Sequence, residues 1–174
     1  MKKIFLNIYF FFNILFKKNK YKKISYSYGS VDLLLEHIFK NQSHGLYIDV
    51  GCQHPVMNNN TYLLYKKGWN GINIDLDKKN IDLFNFYRKR DLNINFAISS
   101  HEGERDLFFY HDKSAINTVE KSVANYQRAQ VKEIKKVKTK TLNLIIENSK
   151  FKDLTIDFVS IDVEGHELDV IKGF

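Results

Sequence analysis

The sequence predicts an α/β fold in which helices cover both faces of an open, parallel sheet. From residue 46 onward, short apolar runs alternate with longer segments of helical periodicity, a pattern typical of βαβ units. Three of these apolar runs lead into a glycine or an aspartate, as strands often do at the edge of a sheet that binds a ligand. The length also fits, since 174 residues of which 44% are hydrophobic can bury a core without disulfides.

The pattern of apolar residues assigns the elements in order along the chain. Strands of the sheet are predicted at residues 46–50, 71–76, 94–98 and 156–162. Residues 106–110 and 133–140 are predicted as added strands. Helices are predicted at 61–67, 79–90 and 142–148, with Gly68 just past the end of the first. Residues 111–130 have the weakest pattern, and we expect a loop followed by a helix.

Residues 1–23 are interpreted as an N-terminal arm that precedes one domain at 24–174. Residues 4–16 are apolar except for Asn7 and Asn13, with lysines on both sides. As a helix this run would be about 20 Å long, short of the ~30 Å hydrocarbon core of a bilayer. A secretory signal is disfavoured because a lysine-rich stretch stands where a small-residue cleavage site would be. We expect the arm either to lie in a membrane interface or to pack on the domain or a partner subunit.

The distribution of charge argues against nucleic acid as a partner. The net charge is +7, but seven lysines and no acid lie in residues 1–23, so the rest of the chain has 20 basic and 20 acidic groups. A nucleic-acid-binding domain usually spreads Lys and Arg over one of its faces. We therefore expect no nucleic-acid partner for the domain.

The single cysteine, Cys52, excludes an internal disulfide and leaves no Cys/His spacing of the zinc type. We therefore expect no metal. A reducing, cytoplasmic setting is the default for such a chain. The location would be the inner face of the membrane if the arm binds lipid.

The first candidate site is the run Tyr47-Ile48-Asp49-Val50-Gly51, an apolar strand that leads into a glycine. At the carboxyl end of such a strand, glycine lets the backbone approach a nucleotide, and the next helix start offers free N–H groups. An ordinary strand-to-loop turn would explain the same residues. The full G-x-G-x-x-G is absent, which disfavours a dinucleotide.

The second candidate site is Asp75, which lies near the end of the next predicted strand, 26 residues after Asp49. A carboxylate in this position can accept hydrogen bonds from both ribose hydroxyls of a bound nucleoside. The alternative is a solvated aspartate at a helix cap, since Asp77 and two lysines follow.

The third candidate site is the acidic cluster that follows the last predicted strand. Asp162 ends this strand, and Glu164, His166 and Glu167 follow it closely. Such crowding of charged side chains is unfavourable unless they bind a ligand or take part in catalysis, and this edge is where open sheets bind ligands. The acids would also stabilise the N-terminus of a helix, which explains Glu164 and Glu167 better than Asp162.

These segments resemble the FkbM family of methyltransferases from Gly45 to Phe174. The most specific element is Phe158-Val159-Ser160-Ile161-Asp162-Val163-Glu164-Gly165-His166-Glu167. The other elements are Ile48-Asp49-Val50-Gly51, Asn60-Thr61, Gly68-Trp69-Asn70-Gly71-Ile72, Ile74-Asp75, Asn95-Phe96-Ala97 and Thr141-Leu142. The resemblance implies a Rossmann-like methyltransferase sheet of seven strands and S-adenosylmethionine as the methyl donor. It also implies that the acceptor is a hydroxyl, often on a sugar or polyketide.

The resemblance further implies which residues bind the cofactor. They are Asp49, Gly51, Thr61, Asp75, Ala97, Ser99 and Asp162. Asp49 and Gly51 match the family's cofactor loop, and Asp75 matches its ribose acid. Residues 97–99 match the turn beside the adenine, and Asp162 matches the acid near the methionine part. Residues 51–55 read Gly-Cys-Gln-His-Pro where the family commonly has Gly-Ala-Asn-Asp-Gly, so we expect the contacts of this loop to differ.

His166 and Glu164 are the candidate catalytic residues. Methyl transfer is an in-line displacement at a sulfonium carbon, so the protein mainly has to align the acceptor oxygen and remove its proton. An imidazole, which ordinarily titrates at about 6.5, suits that task near neutral pH, so His166 is the preferred base. A neighbouring acid is the alternative.

The sequence leaves rival hypotheses for function. The leading one is an O-methyltransferase for a sugar hydroxyl on a surface glycan or lipid-linked saccharide, with the arm in contact with a membrane. The resemblance also implies that the family's last strands are missing from 24–174. An uncovered strand edge would favour an oligomer or a partner that covers it. The second hypothesis is therefore a non-catalytic, truncated remnant that binds nucleotide or a partner protein. A nicotinamide-dependent oxidoreductase is disfavoured by the missing glycines.

Overall fold

A parallel sheet of four strands forms the centre of the molecule. The computed structural model describes residues 2–20 and 24–174. The strands are β1 (Leu46–Val50), β2 (Asn70–Asp75), β3 (Leu92–Asn95) and β7 (Phe158–Ile161). Their order across the sheet is β3-β2-β1-β7, and every pair is parallel. This confirms the predicted α/β class with a parallel central sheet.

The register of the strands brings their carboxyl ends to one edge. Val50 lies opposite Ile74 of β2 and opposite Ile161 of β7. The residues that follow these strands therefore meet at this edge, where open α/β sheets bind ligands. Gly51 and Asp162 are among them, as the sequence predicts.

A second sheet of three strands packs beside the first. It consists of β4 (Ala97–Ile98), β5 (Gly103–Phe109) and β6 (Glu133–Lys140) in the order β4-β6-β5. The prediction of one strand at 94–98 is wrong, because Asn95 pairs with Asp75 in the central sheet whereas Ala97 pairs with Thr139 in the second. β2 ends at Asp75, so the chain beyond Asn95 finds its backbone partner on β6 instead.

Helices connect the strands and precede them. They are α1 (Lys2–Lys20), α2 (Val31–Ile38), α3 (Tyr62–Lys66), α4 (Lys78–Tyr87), α5 (Lys121–Tyr126), α6 (Leu142–Glu147) and α7 (Glu167–Lys172). Side-chain caps start two of them, since Asp77 accepts from the Lys79 N–H and Thr141 from the Leu144 N–H. α4 ends at Tyr87 rather than at residue 90, where the predicted helix ends.

Alternating residues of the strands face two different layers of helices. On one face, Ile48 and Ile72 belong to an apolar core that α6 and α7 complete through Leu142 and Val170. On the other face, Tyr47 packs in a second cluster whose buried members include Leu64 and Trp69. Helices thus cover both faces of the sheet, as the sequence predicts.

A buried polar network lies on the second face, around Arg88. The guanidinium is 0% exposed and donates from Nη2 to Thr61 Oγ1 at 2.5 Å, while its Nε lies 3.3 Å from Asp91 Oδ2. Thr61 Oγ1 lies 3.0 Å from Asp49 Oδ2 and donates to it. Burial raises the pKa of the Asp49 and Asp91 carboxyl groups, and the positive charge of Arg88 opposes that rise.

Helix α1 contains the apolar run of the arm. Among the described residues, no helix combines the length and the hydropathy needed to cross a bilayer. Of the seven lysines of the arm, Lys22 and Lys23 lie outside the described residues.

Candidate functional site

A cavity opens at the carboxyl ends of β1, β2 and β7. The empty space within it is about 730 Å³, a figure that includes space open to solvent. Six of the nine residues predicted from the sequence line it. They are Gly51, Asp75, Ala97, Asp162, Glu164 and His166. The topology therefore brings together residues that are up to 115 positions apart.

Gly51 is required by the close approach of two backbones at this edge. It has a φ of +81°, and a Cβ built on it would lie 1.8 Å from the carbonyl oxygen of Asp162. Its N–H donates to the Ile74 carbonyl at 2.8 Å. No side chain fits here, so only glycine allows the ends of β1 and β7 to lie this close together next to the cavity.

Asp75 lies in the cavity wall and is surrounded by hydrogen-bond donors. Its Oδ2 accepts from the Gln53 N–H at 2.9 Å and from Asn80 Nδ2 at 3.2 Å. Its Oδ1 accepts from the Asp77 N–H at 2.7 Å. Three of about four acceptor positions of the carboxylate are thus occupied, and one on Oδ1 has no donor among the described residues. Burial raises the pKa of Asp75 to about 6, although these hydrogen bonds oppose the rise.

Glu164 lines the cavity with a backbone conformation that is unusual for a non-glycine residue. Its φ of +54° lies in the left-handed region, which non-glycine residues rarely adopt outside turns and functional sites. The side chain is half-buried, and its carboxylate has no hydrogen-bond donor among the described residues. Burial raises the pKa of this carboxyl, and the negative charges of Asp162 and Glu167 raise it further.

His166 lines the cavity, but both of its ring nitrogens already have partners. Nδ1 lies 2.5 Å from Glu120 Oε1, and Nε2 lies 3.1 Å from Ser99 Oγ. Arg105 donates from Nε to the same Ser99 oxygen at 3.2 Å. A neutral ring satisfies all these contacts if Nδ1–H donates to Glu120 and Nε2 accepts from the Ser99 hydroxyl. Only 2% of His166 is exposed, and the hydrogen bonds to Glu120 and Ser99 fix the orientation of its ring.

Residues 111–120, which we call the strap, form part of the cavity wall. Four strap residues line it: Ser114, Ala115, Asn117 and Val119. At one end the Lys113 N–H donates to Asp77 Oδ2 at 2.5 Å. At the other end Thr118 Oγ1 donates to the Glu164 carbonyl at 2.8 Å. Sequence reasoning missed the strap because its residues show no periodicity and the partners that fix its two ends, Asp77 and Glu164, are distant in sequence.

The best candidate metal ligands in the described part of the chain are Glu120, His166 and Asp169. Their ligand atoms lie within 4.8 Å of one another. Two ligands of a tetrahedral zinc ion would be about 3.3 Å apart, given metal–ligand bonds of about 2 Å. The 2.5 Å between His166 Nδ1 and Glu120 Oε1 is a hydrogen bond instead. We assign no metal to this cluster.

Three predicted cofactor residues lie behind the wall of the cavity. Asp49 and Thr61 belong to the buried network of Arg88 on the second face of the sheet. Asp49 is directed there because successive residues of β1 face opposite sides of the sheet. Ser99 is 0% exposed and holds the ring of His166. Any effect of these three on a bound molecule would pass through the residues that line the cavity.

Comparison with known proteins identifies the family. The profile described as the methyltransferase FkbM domain matches residues 49–173, which is more than half of the chain and includes every residue of the candidate site. No curated protein and no solved structure matches the sequence significantly. The matched region contains the strand ends, the cavity and the strap, and the chain therefore belongs to the FkbM methyltransferase family.

Proposed function

We propose that this chain is an S-adenosylmethionine-dependent O-methyltransferase. The observation that carries the proposal is the convergence of Gly51, Asp75 and Asp162 on one cavity at the carboxyl edge of the sheet. The family match supports methyl transfer. The cavity supports a nucleoside-containing donor, because a buried carboxylate and a glycine-lined approach occur together.

The residues present fit this cofactor. Asp75 offers a buried carboxylate with an open acceptor position, which suits a ribose hydroxyl. Phe96, Ala97 and Ile98 offer apolar surface for an adenine. Asp162 is exposed within the cavity lining, so its negative charge suits the cationic methionine part. When bound there, S-adenosylmethionine would supply an electrophilic methyl group.

Among the protein's own groups, Glu164 is the best placed to take the acceptor's proton. A general base needs an acceptor atom that the substrate hydroxyl can reach. The carboxylate of Glu164 has no donor among the described residues, and burial, Asp162 and Glu167 raise its pKa above the ordinary value of a glutamate. Both nitrogens of His166 are occupied, so the imidazole could act as a base only after Ser99 or Glu120 moves away. We therefore propose Glu164 as the proton acceptor and His166 as the residue that holds strap and strand end together.

The proposed acceptor is a sugar hydroxyl on a surface glycan or lipid-linked saccharide, methylated at the cytoplasmic face of the membrane. The single, buried Cys52 is compatible with a reducing compartment. The resemblance to the family favours hydroxyl acceptors. Aligning such a hydroxyl with the donor methyl group would contribute more to the rate than the proton transfer.

Calorimetry separates this proposal from the oxidoreductase hypothesis. The protein should bind S-adenosylmethionine and its demethylated product S-adenosylhomocysteine, and NAD should not bind. Transfer of a labelled methyl group to an extracted glycan fraction would then demonstrate turnover. Binding of NAD, with no binding of S-adenosylmethionine or S-adenosylhomocysteine, would refute the proposal.

One observation favours a second candidate function, binding without turnover. Within the described part of the chain, β7 pairs only with β1, and Asp162 at its end is exposed. If the cofactor binds but no acceptor fraction is methylated, this candidate is favoured.

A further inference from the structure

Helix α1 presents an apolar surface to solvent. Its large apolar side chains are mostly between 40% and 70% exposed, which is unusual for a surface helix of a soluble domain. The run includes five phenylalanines, at positions 5, 10, 11, 12 and 16. An apolar surface of this size indicates a binding partner.

The apolar residues are unevenly distributed around the helix. At 3.6 residues per turn, one flank between positions 4 and 16 is entirely apolar. This flank, which we call the apolar flank, consists of Ile4, Phe5, Ile8, Phe11, Phe12, Leu15 and Phe16. The opposite flank contains Asn7 and Asn13 beside Phe10 and Ile14. The helix is therefore amphipathic despite its high content of phenylalanine.

The charges at the ends of the helix indicate the chemistry of the partner. Lys2 and Lys3 precede the apolar run, residues 17–23 add five lysines, and the arm has no acid. An apolar surface flanked only by cations is complementary to a surface of acyl chains beneath anionic head groups. α1 is also too short in its apolar part to span a bilayer, since no described helix reaches the required length and hydropathy.

We propose that α1 lies in the interface of an anionic membrane, with its apolar flank in the acyl chains and its terminal lysines at the head groups. This binding surface goes beyond the proposed methyl transfer and does not depend on it. It would hold the domain, with its cavity, next to acceptors that are themselves in the membrane.

The test is co-sedimentation of the full chain with vesicles. Binding should be much stronger to equal parts phosphatidylcholine and phosphatidylglycerol than to phosphatidylcholine alone. Replacing three lysines that follow the run (K17Q, K18Q and K20Q) should weaken binding to the anionic vesicles by about 100-fold, at about fivefold for each lysine. Binding that is the same for both vesicle compositions would overturn the proposal.

A matched pair of double variants tests the orientation of the helix. F11S/L15S removes one phenylalanine and one aliphatic residue from the apolar flank, and F10S/I14S removes an equivalent pair from the opposite flank. The first pair should weaken binding at least about 100-fold and the second by less than about tenfold. Equal losses would contradict the proposed orientation.

Two controls keep the result interpretable. Both double variants should retain the fluorescence of the buried Trp69 and the affinity for S-adenosylhomocysteine of the unmodified chain, because α1 is outside the matched domain. A dimer that F11S/L15S dissociates, without any vesicle binding, would identify a second copy as the occupant of the apolar flank and refute the lipid proposal.

Discussion

Replacement of Asp75 by asparagine tests the cofactor site most directly. The carboxylate belongs to a residue that lines the cavity, and its three hydrogen bonds leave one of about four acceptor positions without a donor among the described residues. Asparagine has the same shape but lacks the charge, and its amide N–H₂ would face a backbone N–H donor. Loss of a charge-assisted hydrogen bond to ribose should weaken binding by roughly 1–3 kcal/mol, or about 5- to 150-fold.

The pH dependence of binding gives a second measure of the same group. Burial raises the pKa of Asp75 to about 6, so the carboxylate that ribose requires is mostly ionised at pH 7 and mostly protonated at pH 5. The apparent affinity is reduced by the fraction that is not ionised. Affinity should therefore fall about tenfold as the pH drops from 7 to 5, and Asp75→Asn should abolish this dependence.

The free energy of unfolding should respond to pH in the opposite direction. An aspartate whose folded pKa is raised to about 6 binds more protons in the folded state than in the unfolded state between about pH 4 and 6. The stability that it contributes without ligand is thus lost as the pH rises through this window, by up to about 3 kcal/mol. Asp75→Asn should remove this slope.

Calorimetry with S-adenosylhomocysteine and urea unfolding, each at pH 4, 5, 6, 7 and 8, would measure both effects. Asp82→Asn is the matched control, because Asp82 is an exposed aspartate on α4 whose partner is Lys78. It should leave both profiles unchanged. If Asp75→Asn keeps the affinity and the pH profile of the unmodified chain, Asp75 does not bind the cofactor and the reasoning is wrong.

Three further predictions concern neighbouring parts of the molecule. Glu164→Gln should lower the single-turnover methylation rate by about 10²–10⁴-fold and leave the affinity for the cofactor nearly unchanged. If His166→Asn lowers the rate more than Glu164→Gln does, at unchanged affinity, the imidazole is the base instead. Arg88→Met should reduce the free energy of unfolding in urea by about 3–5 kcal/mol, because Asp49 and Asp91 would lose their buried cation. A reduction of less than about 1 kcal/mol would contradict that role. Gly51→Ala should displace the end of β7 and weaken S-adenosylhomocysteine binding, whereas the far-ultraviolet circular dichroism should change little. An unchanged affinity would show that cofactor binding does not require the close backbone approach.

The parallel sheet and its ligand edge could be predicted from the sequence because their signals are local. β1 begins and ends at the residues predicted for it, 46–50, and both ends of β2 lie within one residue of the predicted 71–76. An apolar run of strand length followed by glycine or aspartate defines both a strand and the position of its end. The meeting of Gly51, Asp75 and Asp162 follows from this, since parallel strands place their carboxyl ends at one edge.

Only the tertiary structure decided which segments pair and pack around that edge. Residues 94–98 carry one continuous apolar pattern, yet they divide between two sheets because their backbone partners, Asp75 and Thr139, belong to different ones. The same holds for the strap, which contacts α4 at one end and the turn after β7 at the other.

The roles of individual site residues show the same division. Asp49 and Gly51 lie at the carboxyl end of β1, as the sequence predicts, but the direction of the Asp49 side chain depends on the face of the sheet and on the distant Arg88. In the sequence, His166 is the preferred base and a neighbouring acid such as Glu164 is the alternative. The structure distinguishes them because Glu120 and Ser99, which are 46 and 67 residues away from His166, occupy both nitrogens of its ring. Such partners are set by the packing of distant segments, which no local pattern encodes.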